Sequence, residues 1–469
     1  MQTECKASQL EFQGFGRREV VARFDGGRIS SDGGLLLLRE VATDSGLLER
    51  FAQCFTDHRD CKLIEHSVAE LVGQRVLALV QGYEDLNDHD VLRDDPLLAL
   101  AVGKEDLSGE RRRRPRDRGH GLAGKSTLNR LELTPEKLER NERYKKIVYD
   151  GAAIENLFTD DFIRAQPQAP EELILDLDAT DDPLHGQQEG RFFHGFYGCY
   201  CYLPLYIFCG DFLLCAKLRQ SDRDGADGAL DEVQRIVGQL RTAWPEVPIT
   251  LRADSGFARE ELMKWCEEHQ VDYIFGLARN ARLQAEISGE LAEAETQARA
   301  TGKPARVFKD FTYQTRESWS RARRVVGKAE HLPDKSNPRF VVTSYLSERM
   351  AAAPLYERLY CARGDMENRI KEQQLGLFAD RTSTATMRGN QLRLWFAAVA
   401  YCLVNRLRHM GLRGTELARA QVPTIRDRLL KIGARITVSV RRVAVSLSSA
   451  FPLQPLFARI LANLQQAYT

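Results

Sequence analysis

The chain has 469 residues, 67 Lys/Arg against 66 Asp/Glu for a formal net charge of +1, and 43% hydrophobic residues, the composition of an ordinary soluble globular protein with length for about three domains. The longest apolar run, Leu394 to Val404, is too short to span a bilayer, and the polar opening MQTECKASQLEFQGFGRREV has no apolar signal core. Ten cysteines without a C-x-x-C pair sit mostly in apolar stretches, as reduced cytosolic cysteines do. The near-zero net charge hides an asymmetry. Thirteen Lys/Arg face two acids from Arg381 to Arg442, eight face two from Ser108 to Leu131, and the stretch around 150 to 190 turns acidic. Two basic zones around an acidic middle fit a protein that grips a polyanion and performs metal chemistry on it, although solvated helical faces account for the same charges.

Taken in chain order, residues 1 to 30 read as extended, with two Asp-Gly-Gly turns in FDGGRISSDGG. From Leu35 to about Ile163 the apolar spacing is helical, interrupted by an arginine-rich loop. Within it Cys54, His58, Cys61 and His66 have no familiar zinc spacing and read as core cysteines and solvent-facing histidines. The segment TPEKLERNERYKKIV predicts a helix capped by Thr134, with Pro135 at its first position.

The stretch GHGLAGKST, residues 119–127, matches G-x-x-x-x-G-K-[ST] through Gly119, Gly124, Lys125 and Ser126. A phosphate-cradling loop of that kind follows a buried strand, and ERRRRPRDR cannot be one. The better reading is a flexible basic segment, in which Arg111, Arg112, Arg113, Arg114 and Lys125 face DNA phosphates while Ser126 or Thr127 caps a helix. No nucleotide is needed.

After Pro170 the texture becomes β-β-β-α-β-α-β: ELILDLDAT, FYGCYCYLPLYIFC, DFLLCAKLR after a turn at Gly210-Asp211, an amphipathic helix, PITLRADSGF, another helix and VDYIFGLA. This order predicts a mixed sheet flanked by helices. Period-two alternation puts Ile174, Asp176 and Asp178 on one face of the first strand, opposite Leu173, Leu175 and Leu177. Asp178 and Asp254 both stand at strand ends, where ligands gather in open sheets and where turn-forming Asp residues are equally common. A charged helix and β-like runs fill 280 to 350, and the chain is helical again from Leu355 to Met410. There YCARGDMENRIKEQQ sets Tyr360, Arg363, Glu367, Lys371 and Gln374 along one helical face, as a catalytic constellation or a surface salt-bridge ladder. The tail IGARITVSVRRVAVSLSSAFP alternates like one or two strands.

Two strand-end aspartates, a β-rich insertion and a helix bearing Tyr-x2-Arg-x3-Glu resemble the DDE transposases of bacterial insertion sequences, of the Tyr-Arg-Glu-Lys type with a β insertion. FDGGRISSDGG, GYEDLNDHDVLRDDP and LLKIGARITVSVRRV resemble the insertion-sequence family numbered 1380, so that the likeness runs from about Phe24 to Pro452. The resemblance implies an α/β protein whose catalytic core is RNase H-like, a mixed five-stranded sheet with flanking helices. An all-α DNA-binding domain over 1–165 with its basic loop at 108–127 would precede the core. The core itself would begin over 166–279, take a β-rich insertion at 280–352 and resume over 353–412, before a basic helical region at 413–469.

It further implies cut-and-paste transposition. Asp178, Asp254 and Glu367 would be the catalytic and metal-holding residues for paired Mg2+ (Mn2+ as substitute), and Tyr360, Arg363 and Lys371 would lie against DNA. The partners implied are double-stranded DNA, as transposon ends and target, and a second copy of the chain in the DNA complex. No membrane is involved, and the setting is cytoplasmic and nucleoid-associated. The wider group has Lys where this chain has Gln374, which leaves Lys371 as the nearest substitute. Trp319 in the insertion is a candidate to stack on a base or to fill the core. Two other readings compete: a P-loop DNA-binding ATPase or transposition helper, and a non-catalytic DNA-binding derivative of a transposase.

Overall fold

LILDLDA forms an interior strand of the largest sheet, and its alternation sorts that sheet's two faces. The computed structural model describes residues 9–138, 142–333 and 335–467. Its large sheet has nine strands, numbered here along the chain: β1 (Leu173–Ala179), β2 (Leu205–Cys209), β3 (Phe212–Lys217), β4 (Ile249–Ala253), β5 (Asp272–Leu277), β6 (Ala305–Tyr313), β7 (Arg323–Leu332), β8 (Lys335–Ser336) and β9 (Arg339–Thr343). They lie in the order β3-β2-β1-β4-β5-β9-β7-β6, with β8 pairing to β7. β1, β4 and β5 are mutually parallel and the other pairings are antiparallel. The expected five-strand core is therefore half of a larger sheet. The inserted segment is no separate body: β9 pairs with the edge of β5 and satisfies backbone groups that an open edge leaves unpaired. The expected single strand through FYGCYCYLPLYIFC is broken at Pro204, which has no N–H to give a ladder. Residues Cys199–Tyr202 join a separate three-stranded sheet with Asp182–Pro183 and Phe192–His194, while β2 starts at Leu205. β2 and β3 meet at Gly210, as the turn signal predicts.

Two compact units divide the chain, Met1–Val148 with Val399–Thr469, and Tyr149–Ala398. In the second, Leu173, Leu175 and Leu177 of β1 join Leu251 of β4 and Phe275 of β5 in one core, covered by Ala229–Ala243 and Glu260–Glu268. Ile274, Val326 and Val341 face the other way and pack under Leu355 and Tyr356. These last belong to an unevenly wound helical segment. It has π-type turns over Leu355–Tyr360, a 3-10 turn at Cys361–Arg363, an α-helix at Gly364–Lys371 and another π-type turn at Glu372–Gly376. Wide turns of this kind re-aim side chains and are frequent at functional sites. Trp319 is buried edge-on against Tyr313, with the Arg323 guanidinium over its ring, so it is a core residue of the insertion.

The first unit is held by residues from both ends of its sequence. Asp32 is buried and accepts from Lys431 Nζ at 2.7 Å and from the Tyr83 hydroxyl at 3.0 Å. Gly34 has to be glycine, because a Cβ there would lie 2.4 Å from Leu430 Cα. Arg426 donates to the carbonyls of Leu79 and Val80 and so caps the helix Val68–Val80, whose start has a Ser67–Glu70 capping box. Three corrections fall here. The helix expected from Thr134 does not form over 134–138 or 142–146, and Thr134 instead bonds back to the Arg130 carbonyl; residues 139–141 of that expected helix, and MQTECKAS at the N-terminus, lie outside the described residues. Cys61 is exposed and His66 buried, the reverse of the expectation, whereas Cys54 is buried and His58 exposed. The basic C-terminal region is not helical throughout: as the alternation of its tail predicts, Ala434–Val438 and Val443–Leu447 are strands, forming a hairpin paired to Arg28–Ser30 ahead of the helix Gln454–Ala467.

One buried ion pair crosses the second unit's sheet beneath the uneven helical segment. Arg252 of β4 grips Asp176 of β1 through Nε at 2.5 Å and Nη2 at 2.7 Å, while its Nη1 donates to the Leu359 carbonyl at 2.6 Å. Removing one partner strands a buried charge. Arg252→Ala is expected to cost about 3–5 kcal/mol in chemical denaturation, whereas the double change Asp176→Leu with Arg252→Leu costs far less. A single-variant loss below about 1 kcal/mol would mean that the pair is solvated.

Candidate active site

The parallel register sets two carboxylates side by side. Ala253 of β4 pairs with Leu177 of β1, so Asp254 and Asp178 follow at the same sheet edge. Asp178 sits on the face opposite the leucines, its side chain only 15% exposed, and one of its oxygens accepts from Ala179 N at 3.0 Å. Asp254 turns the chain after β4, its Oδ1 accepting from Gly256 N at 2.8 Å. The uneven helical segment brings the other residues to this edge. Arg363 points one nitrogen to Asp178 Oδ2 at 3.4 Å and another to Glu367 Oε1 at 2.9 Å, linking the sheet to the helix Gly364–Lys371. Tyr360 comes in beside Asp254 because β5 carries glycine at 276. A Cβ there would stand 2.6 Å from the Tyr360 hydroxyl and 2.9 Å from Ser255 N.

The electrostatics follow from this crowding. The Asp178 carboxyl is pushed up to about 6, chiefly by burial, with Arg363 opposing the rise and the charges of Asp254 and Glu367 adding to it. Burial acts to lower the Arg363 guanidinium, but Asp178, Tyr360, Asp254 and Glu367 together hold it above its usual range. The Tyr197 hydroxyl is pushed up to about 12 by burial and then by Asp181, Asp178 and Asp254. The site is thus a partly buried pocket of negative charge with Arg363 as its internal counter-ion. Tyr197 and Gly276 lacked any sequence signal, since both join the site through tertiary contact alone.

Lys371 and Gln374 part company. Lys371 is exposed and forms no ion pair among the described residues, while Gln374 Nε2 donates to the Asp181 carbonyl at 3.1 Å and ties the helix to the loop after β1. In the first unit the basic loop is a closed structure. Asp106 accepts from Ser108, Gly109 and Arg111, and Gly119 N donates to the Gly109 carbonyl at 3.3 Å. Arg111 and Arg114 are exposed, Arg112 reaches Glu65 at 2.9 Å, and Arg113 donates to the Lys62 carbonyl at 3.2 Å. Lys125 pairs with Asp90 at 3.2 Å. The helix starts at Lys125 with Gly124 as its cap, so neither Ser126 nor Thr127 caps it. Among the described residues no strand of this unit leads into Gly119, and the arginine stretch holds only a 3-10 turn at Pro115–Asp117.

A family model described as transposase DDE domain group 1 matches residues 12–469. The chain belongs to that transposase family. Among solved structures, the piggyBac transposase synaptic complex with hairpin DNA is similar at TM-score 0.42 and 13% identity, over 85% of this chain and 80% of that one. No curated protein matches the chain. No helix among the described residues of this transposase is long and apolar enough to cross a membrane.

The fit of this site to a divalent cation has two sides. The donors are all carboxylate oxygens, as hard cations prefer, and Asp178 is raised first by burial, with Asp254 and Glu367 adding to the rise. Against this, no three acidic, His or Cys side chains among the described residues stand close enough together to hold an ion, and Arg363 bridges two of the three candidate acids. The donor chemistry suits a hard cation, while in the arrangement described Arg363 occupies the space between Asp178 and Glu367 and supplies the positive charge.

A carboxyl raised on folding binds more protons in the folded chain between its unfolded value near 3.8 and about 6, so its ionisation removes stability as pH rises through that window. Asp178→Asn is therefore expected to stabilise the metal-free chain by up to about 3 kcal/mol at pH 8 and by little at pH 4. Melting curves in a chelator check this. A benefit independent of pH would place the Asp178 carboxyl elsewhere than beside Asp254 and Glu367.

Proposed function

We propose that this transposase binds the terminal inverted repeats of its own insertion sequence, of the family numbered 1380, and moves it by cut-and-paste. In this reading the second unit's β1–β5 half-sheet is an RNase H-like core. The observation that carries the reading is the convergence at one sheet edge of Asp178, Asp254 and the Arg363–Glu367 pair, each from a different element. Asp178, Asp254 and Glu367 would hold paired Mg2+, or Mn2+ in its place, which when bound activates the attacking hydroxyl and stabilises the leaving oxygen.

The chain's own residues do the remaining work. Arg363, between Asp178 and Glu367, would be the cation available to a phosphate oxygen at the cleaved bond. Lys371, one helical turn beyond Glu367 and exposed, adds a second cation on the same side. Gln374 holds the helix on the Asp181 carbonyl, and Tyr360 props the Asp254 turn through the space that Gly276 leaves. The exposed arginines of the first unit grip DNA, and a second copy of the chain completes the assembly on paired ends. No nucleotide enters the reaction.

Replacing Asp178, Asp254 or Glu367 with Ala is expected to reduce cleavage of end-bearing DNA at least 1,000-fold, in order-of-magnitude terms, with duplex affinity nearly unchanged. Full activity of any one variant would remove that residue from the reaction. Lys371→Ala is expected to slow cleavage by about 1.5–3 kcal/mol of lost phosphate contact, and Gln374→Ala by less, with a lower melting temperature. The reverse order would show that Gln374 itself meets the DNA.

A further inference from the structure

The first unit contains a cleft of ≈620 Å³ whose lining carries eight basic side chains against three acids. Its cations fall into two groups. Arg59, Arg112, Arg113 and Arg116 have partners within the protein: Arg59 grips Asp57, Arg112 binds Glu65 and the His120 carbonyl, Arg113 donates to the Lys62 carbonyl, and Arg116 lies 4.0 Å from Asp117. Burial acts to raise the Glu65 carboxyl, but the Arg112 hydrogen bond and charge prevail and hold it below its usual range, so that pair is a strut. Arg93, Arg114, Arg130 and Lys146 also line the cleft and form no ion pair among the described residues. None of these four is held by a carboxylate of the described residues within ion-pair distance, and Arg130 lies over the Tyr144 ring at 4.7 Å, so the recess presents its positive charge to an anion.

The floor supplies an independent observation. His66 lines the cleft, is 4% exposed, and neither ring nitrogen has a hydrogen-bond partner. Burying an imidazole without a partner costs free energy that a ligand recovers. Burial, then the charges of Lys104, Arg112 and Arg59, push it down to about 3, so the ring is neutral at ordinary pH, able to donate once and accept once.

Resting on the transposase reading, we propose that this cleft is the DNA-backbone site of the first unit. Arg93, Arg114, Arg130 and Lys146 hold neighbouring phosphodiesters of one strand, and His66 hydrogen-bonds the strand from the floor. Arg112 is a positioning residue that braces the loop through Glu65. The shared chemistry is a phosphate ester, and the two possible sources are a DNA strand and a free nucleotide.

The test measures the affinity of the full chain for a labelled mixed-sequence duplex as a function of salt. Each phosphate contact contributes about 0.9 to the slope of log K against log salt. The triple variant Arg93→Gln, Arg130→Gln, Lys146→Gln is expected to reduce that slope by about 2–3 and the affinity at least tenfold, with an unchanged melting temperature. Arg112→Ala is expected to lower the melting temperature. His66→Gln, which keeps a neutral donor and acceptor, retains affinity, and His66→Leu loses it severalfold at constant slope. An unaltered slope in the triple variant, or unaltered affinity in His66→Leu, overturns the proposal. So does displacement of the duplex by millimolar ADP beyond its ionic-strength effect, which would assign the cleft to a free nucleotide. If the triple variant binds normally while the wild type still cleaves DNA, only the cleft assignment fails. A wild type that neither binds nor cleaves DNA would instead remove the transposase reading.

Discussion

The candidate site depends on the buried contact between Arg252 and Asp176. Two strands supply its charges, and the guanidinium's remaining donor reaches the Leu359 carbonyl, one residue before Tyr360. Burial raises the Asp176 carboxyl even with Arg252 hydrogen-bonded to it. Such a pair gives little net stability; what it supplies here is a tie between two strands and the helical segment through the Leu359 carbonyl. From that fixed point, Tyr360, Arg363 and Glu367 fall where the uneven winding of the segment delivers them.

The same constraint explains why the site is negative and partly buried. Two parallel strands ending together deliver two carboxylates to one edge, and the helix adds a third. Arg363 answers that charge from within the site, touching two of the acids and feeling all three. A single internal counter-ion among three carboxylates leaves excess negative charge, which is the condition under which hard cations bind oxygen donors.

Much of this was legible in the sequence, for identifiable reasons. Alternation in LILDLDAT placed Asp176 and Asp178 on one face, since a strand's period is fixed by its pleat. The β-β-β-α-β-α-β order was readable because each element carries its own periodicity. What escaped depends on contacts between distant residues. Nothing local to β5 announces that Gly276 makes room for Tyr360, nor that Arg252, an arginine within an apolar strand, reaches across to Asp176. The helix expected from Thr134 had good local signals, yet over 134–138 and 142–146 it does not form, and Thr134 bonds back to the turn before it. The arginine loop read as flexible because its restraints, Glu65 and Asp106, lie outside the run itself. The motif phrases near the two chain ends pack against each other, Lys431 donating to the buried Asp32 and Gly34 lying close against Leu430.

The central claim is that Asp178, Asp254 and Glu367 share one cation site. Iron-directed backbone cleavage tests it most directly: Fe2+ replaces the divalent ion, and ascorbate with peroxide then generates hydroxyl radicals that cut the polypeptide near the bound metal. The account predicts cuts clustered around residues 178, 254 and 367 together, suppressed by excess Mg2+ and absent from Asp178→Ala. Cuts confined to one of these segments, or clustered elsewhere in the chain, would contradict it.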